Sequence, residues 1–237
     1  MDHIVIFQLI IGSNQCAWIK SGILKYNRPN DWAYYLPNPI LNFLRKFRGR
    51  IQHFLWLWRG QPIPPSHVFK QRTLTFFKEK YQYDVLIETG TFQGAMVDAQ
   101  KKHFNKIYSI ELSEELYRKA RNRFKDDKHV SIIRGDSSNV LGKLLERIDE
   151  PAIFWLDGHY SGGQTSKGKK ETPIAEEVQA IFDSGSFNHV VLIDDARLFN
   201  GTKDYPTIEE LMRYIKGKNQ SYKVEIKQDI IRCFHEQ

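Results

Sequence analysis

The sequence predicts an α/β fold: a doubly wound, mostly parallel sheet that finishes in an antiparallel hairpin and carries an α-helical N-terminal extension. Three observations predict it. From residue 83 onward, short apolar runs alternate with segments of helical periodicity, the pattern of successive β-α units joined by right-handed crossovers. The first apolar run passes straight into a glycine-bracketed turn, Asp84-Val85-Leu86-Ile87-Glu88-Thr89-Gly90-Thr91-Phe92-Gln93-Gly94, where a buried strand gives way to a helix. The last two apolar runs, 222–227 and 230–234, are separated only by Gln228-Asp229, and so short a connection forces a hairpin.

The chain totals bound the reading. At 237 residues there is material for one sizeable core and a smaller appendage. A hydrophobic share of 41% and a charged share of 27% are ordinary for a globular protein. Cys16 and Cys233 form no C-x-x-C pattern and no framework, which fits a reducing, cytoplasmic compartment. The net charge of +7 admits nucleic acid, an anionic membrane surface or acidic small substrates, and chooses none of them. Residues 4–11 are apolar but span about half the length a bilayer needs. They follow Asp2, not a basic stretch, and read as a packed strand or helix, neither signal peptide nor membrane span.

Residues 1–80 are read as the extension and 81–237 as the main domain. The extension is aromatic-rich, with Trp18, Trp32, Trp56 and Trp58, and shows no alternation of strand and helix. Leu41, Leu44, Phe47, Ile51, Phe54, Leu55 and Trp58 recur at helical spacing, with Arg45, Lys46, Arg48 and Arg50 between them. Such a basic amphipathic helix packs its stripe on the main domain or, alternatively, meets a membrane surface or partner through residues 40–58. Gln61-Pro62-Ile63-Pro64-Pro65 stops it as a stiff linker.

In the main domain, strands are expected at 84–88, 106–111, 130–134, 152–157 and 190–194. Helices are expected at 95–104, 114–124, 139–148, 173–182 and 207–215. A flexible basic loop with Lys167, Lys169 and Lys170 occupies 161–170.

Ligands of an open α/β sheet bind beyond the carboxyl ends of its strands. Each of the first five strands has an acid there: Glu88 before Gly90, then Glu111, Asp136-Ser137, Asp157-Gly158-His159-Tyr160 and Asp194-Asp195. Any one of these acids can be a helix cap. Five along one rim point to a ligand. A dinucleotide site needs G-x-G-x-x-G, so that the second glycine lets the backbone touch a pyrophosphate. Here Phe92 stands at that position, and Glu88 would repel an anion while attracting an amine. Gly90, Thr91, Phe92 and Gly94 therefore suit S-adenosylmethionine better than NAD. Glu111, about twenty residues past the glycine loop, is placed for both ribose hydroxyls. Asp136 and Ser137 are placed for the adenine, and Glu88 for the methionine ammonium.

With Ile110-Glu111-Leu112, Gly135-Asp136-Ser137, Leu156-Asp157-Gly158-His159-Tyr160 and Ile193-Asp194-Asp195 added to the glycine loop, residues 83–234 resemble the class I S-adenosylmethionine-dependent methyltransferases. Their sheet is Rossmann-like. The nearest likeness is to the macrocin O-methyltransferase group, which methylates sugar hydroxyls with magnesium. The resemblance implies Asp157, Asp194 and Asp195 as Mg²⁺ ligands, Asp157 also as a cofactor contact and catalytic residue, and His159 as the base. Three carboxylates at adjacent strand ends suit an oxygen-seeking octahedral ion, which acidifies a bound hydroxyl for an imidazole to deprotonate. The loop 161–170 and the segment Arg197-Leu198-Phe199-Asn200-Gly201 depart from the group and border the acceptor pocket.

The expected activity is O-methylation of a small hydroxylated acceptor, a sugar or glycoside, with a homo-oligomer compatible. Two other classes stay open. One is a nucleic-acid methyltransferase, favoured by the basic charge but lacking an Asn/Asp-Pro-Pro-Tyr motif after the fourth strand. The other is a non-catalytic module on the same fold that docks on a membrane or partner.

Overall fold

The computed structural model describes residues 38–158, 172–185 and 187–236, with side chains from residue 47 onward. His159, the loop 161–170, the run 4–11, Cys16, Trp18 and Trp32 lie outside the described residues, as do the side chains of Leu41, Leu44, Arg45 and Lys46.

The described residues divide between two units, one holding residues 38–62 and 66–68 and the other residues 63–65 and those from 69 onward. In the first, helix α1 (Asn38–Trp58) is the expected amphipathic helix. Beyond its end, the Trp56 indole N–H donates to the Pro62 carbonyl at 2.7 Å and His53 Nδ1 bonds the Ser66 hydroxyl at 2.7 Å. Phe54 and Trp58 are exposed on it. Among the described residues, no helix is long and apolar enough to cross a membrane.

The second unit holds most of α2 (His67–Tyr81), an element absent from the sequence reading. Its buried Leu74, Phe77 and Tyr81 follow one another at three- and four-residue spacing, one face of a helix. There follow β1 (Val85–Thr89), α3 (Ala95–Gln100), β2 (Lys106–Glu111), α4 (Glu114–Arg123), β3 (Val130–Arg134) and α5 (Ser137–Leu145). Then come β4 (Ala152–Leu156), α6 (Ile174–Ser184), β5 (Val190–Ile193), a 3₁₀ turn at Ala196–Leu198, α7 (Ile208–Lys218), β6 (Tyr222–Lys227) and β7 (Ile230–His235). Several boundaries differ from expectation by a few residues, three of them at the rim of the sheet. Strands β4 and β5 stop before Asp157 and Asp194, and α5 starts at Ser137 because the Asp136 side chain caps it, accepting from Ser138 N.

The seven strands lie in the order β3-β2-β1-β4-β5-β7-β6. All neighbours are parallel except β5–β7 and β6–β7, so the terminal hairpin is as expected. Gln228 and Asp229 both have positive φ, 50° and 62°, which gives the tight turn a twist matching its strands. The chain leaves β1 toward β2 and β3, then crosses back to β4 and β5, so the switch point lies between β1 and β4.

Strands covered on both faces read as continuous apolar runs, and alternate residues sort to opposite sides. Val85, Ile87, Phe154, Leu156, Val191 and Ile193 pack on one side with Leu141 of α5, Val178 of α6 and Ile215 of α7. Leu86, Ile107, Ile153, Trp155, Val190 and Leu192 pack on the other with Leu74 and Phe77 of α2 and Val97 of α3. This alternation decides which way the residues at the strand ends face.

Candidate active site

The parallel register aligns the strand ends. Thr89 lies opposite both Ile110 and Leu156, and Leu156 lies opposite Ile193. The ladder continues one step further, with Gly90 N donating to Ile110 O at 2.9 Å, Asp157 N to Thr89 O at 3.2 Å and Asp194 N to Leu156 O at 3.0 Å. Glu111, Asp157 and Asp194 therefore end their strands in one row, with neighbouring strands about 4.8 Å apart. Extending the two-residue period, Glu88 follows Leu86, Glu111 follows Ile107 and Ser109, Asp157 follows Trp155, and Asp194 follows Leu192. All four acids thus belong to the side of the sheet covered by α2 and α3.

Gly90 is where two backbone segments approach closely. Its φ is +85°, and a Cβ there would meet the Asp157 carbonyl oxygen at 2.6 Å. The turn needs glycine on both counts. Thr91 is buried and its hydroxyl bonds Ser109 Oγ at 2.6 Å. Ser109 in turn donates to the Glu88 carboxyl. Phe92, at φ 48°, turns its amide onto Glu111 Oε2 at 2.7 Å, and its ring is 45% exposed. Gly94, at φ 70°, precedes α3. Glu111 Oε1 accepts the Ser113 amide at 2.8 Å. One carboxylate thus ties the glycine turn to the β2 exit and keeps lone-pair capacity for a further donor.

The rim is electrostatically loaded. Glu88 is buried; burial raises its pKa to about 8, Ser109 opposes this, and Asp157 and Glu111 add to it. Burial likewise raises Glu111, against the amides of Ser113, Phe92 and Leu112. Burial above all favours the neutral acid at Glu88 until a cation or strong donor arrives.

A residue that the sequence reading missed completes the cradle. Glu177 of α6 is 1% exposed, and among the described residues neither of its carboxyl oxygens has a well-aligned hydrogen-bond partner, nor has Thr89 Oγ1. A Cβ on Gly158 would meet Glu177 Oε1 at 3.1 Å and Thr89 Oγ1 at 3.2 Å, so both oxygens abut the chain just past β4. Burial pushes Glu177 up to about 7; nearby Ser137 and Thr89 hydroxyls favour the charged form without forming well-aligned bonds, while Asp136 and Asp157 disfavour it. Orphaned buried acceptors beneath a glycine turn fit a ligand that brings donors or positive charge. Nothing local marked Glu177, since it follows Glu176 on an ordinary amphipathic helix.

Asp136 accepts Ser138 N at 3.0 Å and Ser138 Oγ at 2.7 Å through Oδ1, leaving Oδ2 toward a second donor. Ser137 is buried at the start of α5.

The three acids assigned to magnesium are arranged otherwise. The Lys70 ammonium, from α2, donates to Asp194 Oδ2 and lies 3.9 Å from Asp195 Oδ1. Burial alone would lower the Lys70 pKa, but Asp194, with Asp157 and Asp195, outweighs it and favours the ammonium. Asp194 Oδ1 takes the Asp195 amide at 2.9 Å, and Asp195 Oδ1 takes Arg197 Nη1 at 2.7 Å. Arg197 also bonds Asp229 in the hairpin turn, so the 197–201 segment is anchored to β6–β7. Among the described residues no group of three ligating side chains converges on one point. Asp194 and Asp195 face lysine and arginine, and as placed the three carboxylates do not fit a shared octahedral ion.

No family model and no curated protein matches the sequence. Solved structures do match the fold. The SAH-bound methyltransferase PaMTH1 of Podospora anserina is 16% identical with a TM-score of 0.50, covering 92% of this chain and 100% of that one. The SAM-bound O-methyltransferase TomG of Streptomyces achromogenes, involved in tomaymycin synthesis, is 13% identical with a TM-score of 0.51, covering 80% and 89%. A Bacillus cereus O-methyltransferase in complex with SAH is 12% identical with a TM-score of 0.51, covering 77% and 87%. The fold is that of the class I methyltransferases. Its switch point, between β1 and β4, coincides with the glycine turn and the acidic row.

Proposed function

We propose that this chain is an S-adenosylmethionine-dependent O-methyltransferase acting on a small hydroxylated acceptor, a sugar or glycoside. The observation that carries the methyl-donor reading is the row of carboxylates, Glu88, Glu111 and Asp157, gathered on one side of the sheet beside a glycine that must lack a side chain. Such a rim welcomes a cationic nucleoside and rejects a diphosphate. The sugar acceptor rests on the resemblance to the macrocin group alone.

When bound, S-adenosylmethionine supplies the methyl group and leaves as S-adenosylhomocysteine. Glu111, already oriented by the Phe92 and Ser113 amides, receives the ribose hydroxyls on its remaining lone pairs. Asp136 Oδ2 and Ser137 meet the adenine edge. Glu88 and Asp157 offer negative charge to the ammonium, and Gly90 lets the tail lie against the backbone. The acceptor O–H loses its proton to a base as the new O–C bond forms; His159, two residues past Asp157, is the base that the resemblance supplies. Holding the attacking oxygen about 3 Å from the methyl contributes much of the acceleration. No step is routed through magnesium, because Lys70 and Arg197 engage two of the carboxylates assigned to it, Asp194 and Asp195.

Calorimetry with S-adenosylhomocysteine tests the reading. Glu111→Ala removes two charge-assisted hydrogen bonds to ribose, each worth about 1.5–3 kcal/mol, so affinity should fall roughly 10²- to 10⁴-fold. An unchanged affinity in a folded variant overturns the proposed cofactor geometry.

A further inference from the structure

Helix α2 brings one lysine to the acidic row, and that placement carries a second inference. The Lys70 side chain is 16% exposed and that of its partner Asp194 is 1% exposed, so this ion pair is largely withdrawn from water. Lys70 and Asp194 are 124 residues apart in sequence, and the fold alone brings them together. The same ammonium lies 3.9 Å from Asp195 Oδ1, and Asp195 is itself held by Arg197. A divalent ion bound at usual oxygen distances to Asp194 Oδ2 would have to lie within about 2.1 Å of that atom, in the space the ammonium takes.

We propose that Lys70 is the resident cation of the Asp157/Asp194/Asp195 cluster, taking the place magnesium would hold and presenting an N–H to the acceptor hydroxyl. An ammonium has three donors. One is committed to Asp194, and the others orient an acceptor oxygen so that a lone pair faces the methyl donor. Lysine fills this position without an octahedral shell, so the acceptor hydroxyl is held singly and not as a chelated vicinal pair. The inference deepens the methyltransferase reading and rests on it for the acceptor, but the occupancy of the cluster is testable without turnover.

The experiment is a titration of the full chain with Mn²⁺, followed by electron paramagnetic resonance and calorimetry. Wild type should show no saturable site at sub-millimolar metal. Lys70→Met should uncover one at least about tenfold tighter, because Asp194 then loses the ammonium that occupies its Oδ2, and Lys70→Met combined with Asp194→Asn should lose it again. A stoichiometric wild-type site that Asp194→Asn abolishes overturns the proposal, as does a folded Lys70→Met protein that gains no site. The wild-type and Asp194→Asn titrations decide even if Lys70→Met fails to fold. S-adenosylhomocysteine binding, measured on the same wild-type sample, separates the two readings: its absence removes the methyltransferase assignment and leaves the metal result standing.

Discussion

Glu88→Gln tests whether the rim holds a neutral carboxyl in the absence of ligand. In the open chain Glu88 titrates at its ordinary 4.5, and burial in the fold raises it to about 8. The folded protein therefore binds the proton more tightly. Stability is full below pH 4.5, declines as pH rises from 4.5 to 8, and levels off above. At about 1.4 kcal/mol per pH unit, the ionisation penalty reaches roughly 5 kcal/mol at pH 8. Glutamine mimics the neutral acid and still accepts from Ser109, so the variant loses the penalty. Urea unfolding at half-unit intervals from pH 4.5 to 8.5 should show the two proteins matched at the acid end, with the variant progressively more stable toward pH 8. A cationic ligand reverses the preference, so wild type should release a proton on binding S-adenosylmethionine at pH 7, read as a dependence of binding enthalpy on buffer ionisation. Parallel stability profiles across the whole range would refute the buried neutral carboxyl.

Gly90→Ala forces a Cβ to 2.6 Å from the Asp157 carbonyl at φ +85°, and should cost about 1–3 kcal/mol in chemical denaturation and cripple cofactor binding. Wild-type stability and affinity in that variant would show that the turn has room to relax. Glu177→Gln removes a carboxyl whose pKa burial lifts to about 7. The same sign applies as for Glu88, so the variant should gain stability between pH 4.5 and 7, up to about 3 kcal/mol. Its affinity for S-adenosylmethionine should fall, and a variant that matches wild type in both measurements would remove Glu177 from the cradle.

The glycine turn, the row of acids and the closing hairpin were legible because each is written in neighbouring residues. Apolar runs mark strands, period-two alternation assigns faces, and a two-residue gap leaves no choice of connection. Helix α2 carries an equally regular stripe in Leu74, Phe77 and Tyr81, but it lies upstream of the first strand, where no β-α alternation draws attention to it. Asp194 and Asp195 were legible as acids at a strand end, yet their partners were not.

The sequence by itself determined the alternation of strands and helices from the first strand onward, the closing hairpin, and the acids at the strand ends, because hydrophobic periodicity and turn chemistry act over a few residues. Only the tertiary structure decided what those acids face. Lys70 reaches Asp194 from a helix 124 residues earlier, Arg197 locks onto Asp229, and Glu177 is buried against Gly158 with both oxygens unpartnered among the described residues. Charge pairing and desolvation depend on distance in space, and that distance is set when helices from remote parts of the chain settle onto the two faces of the sheet.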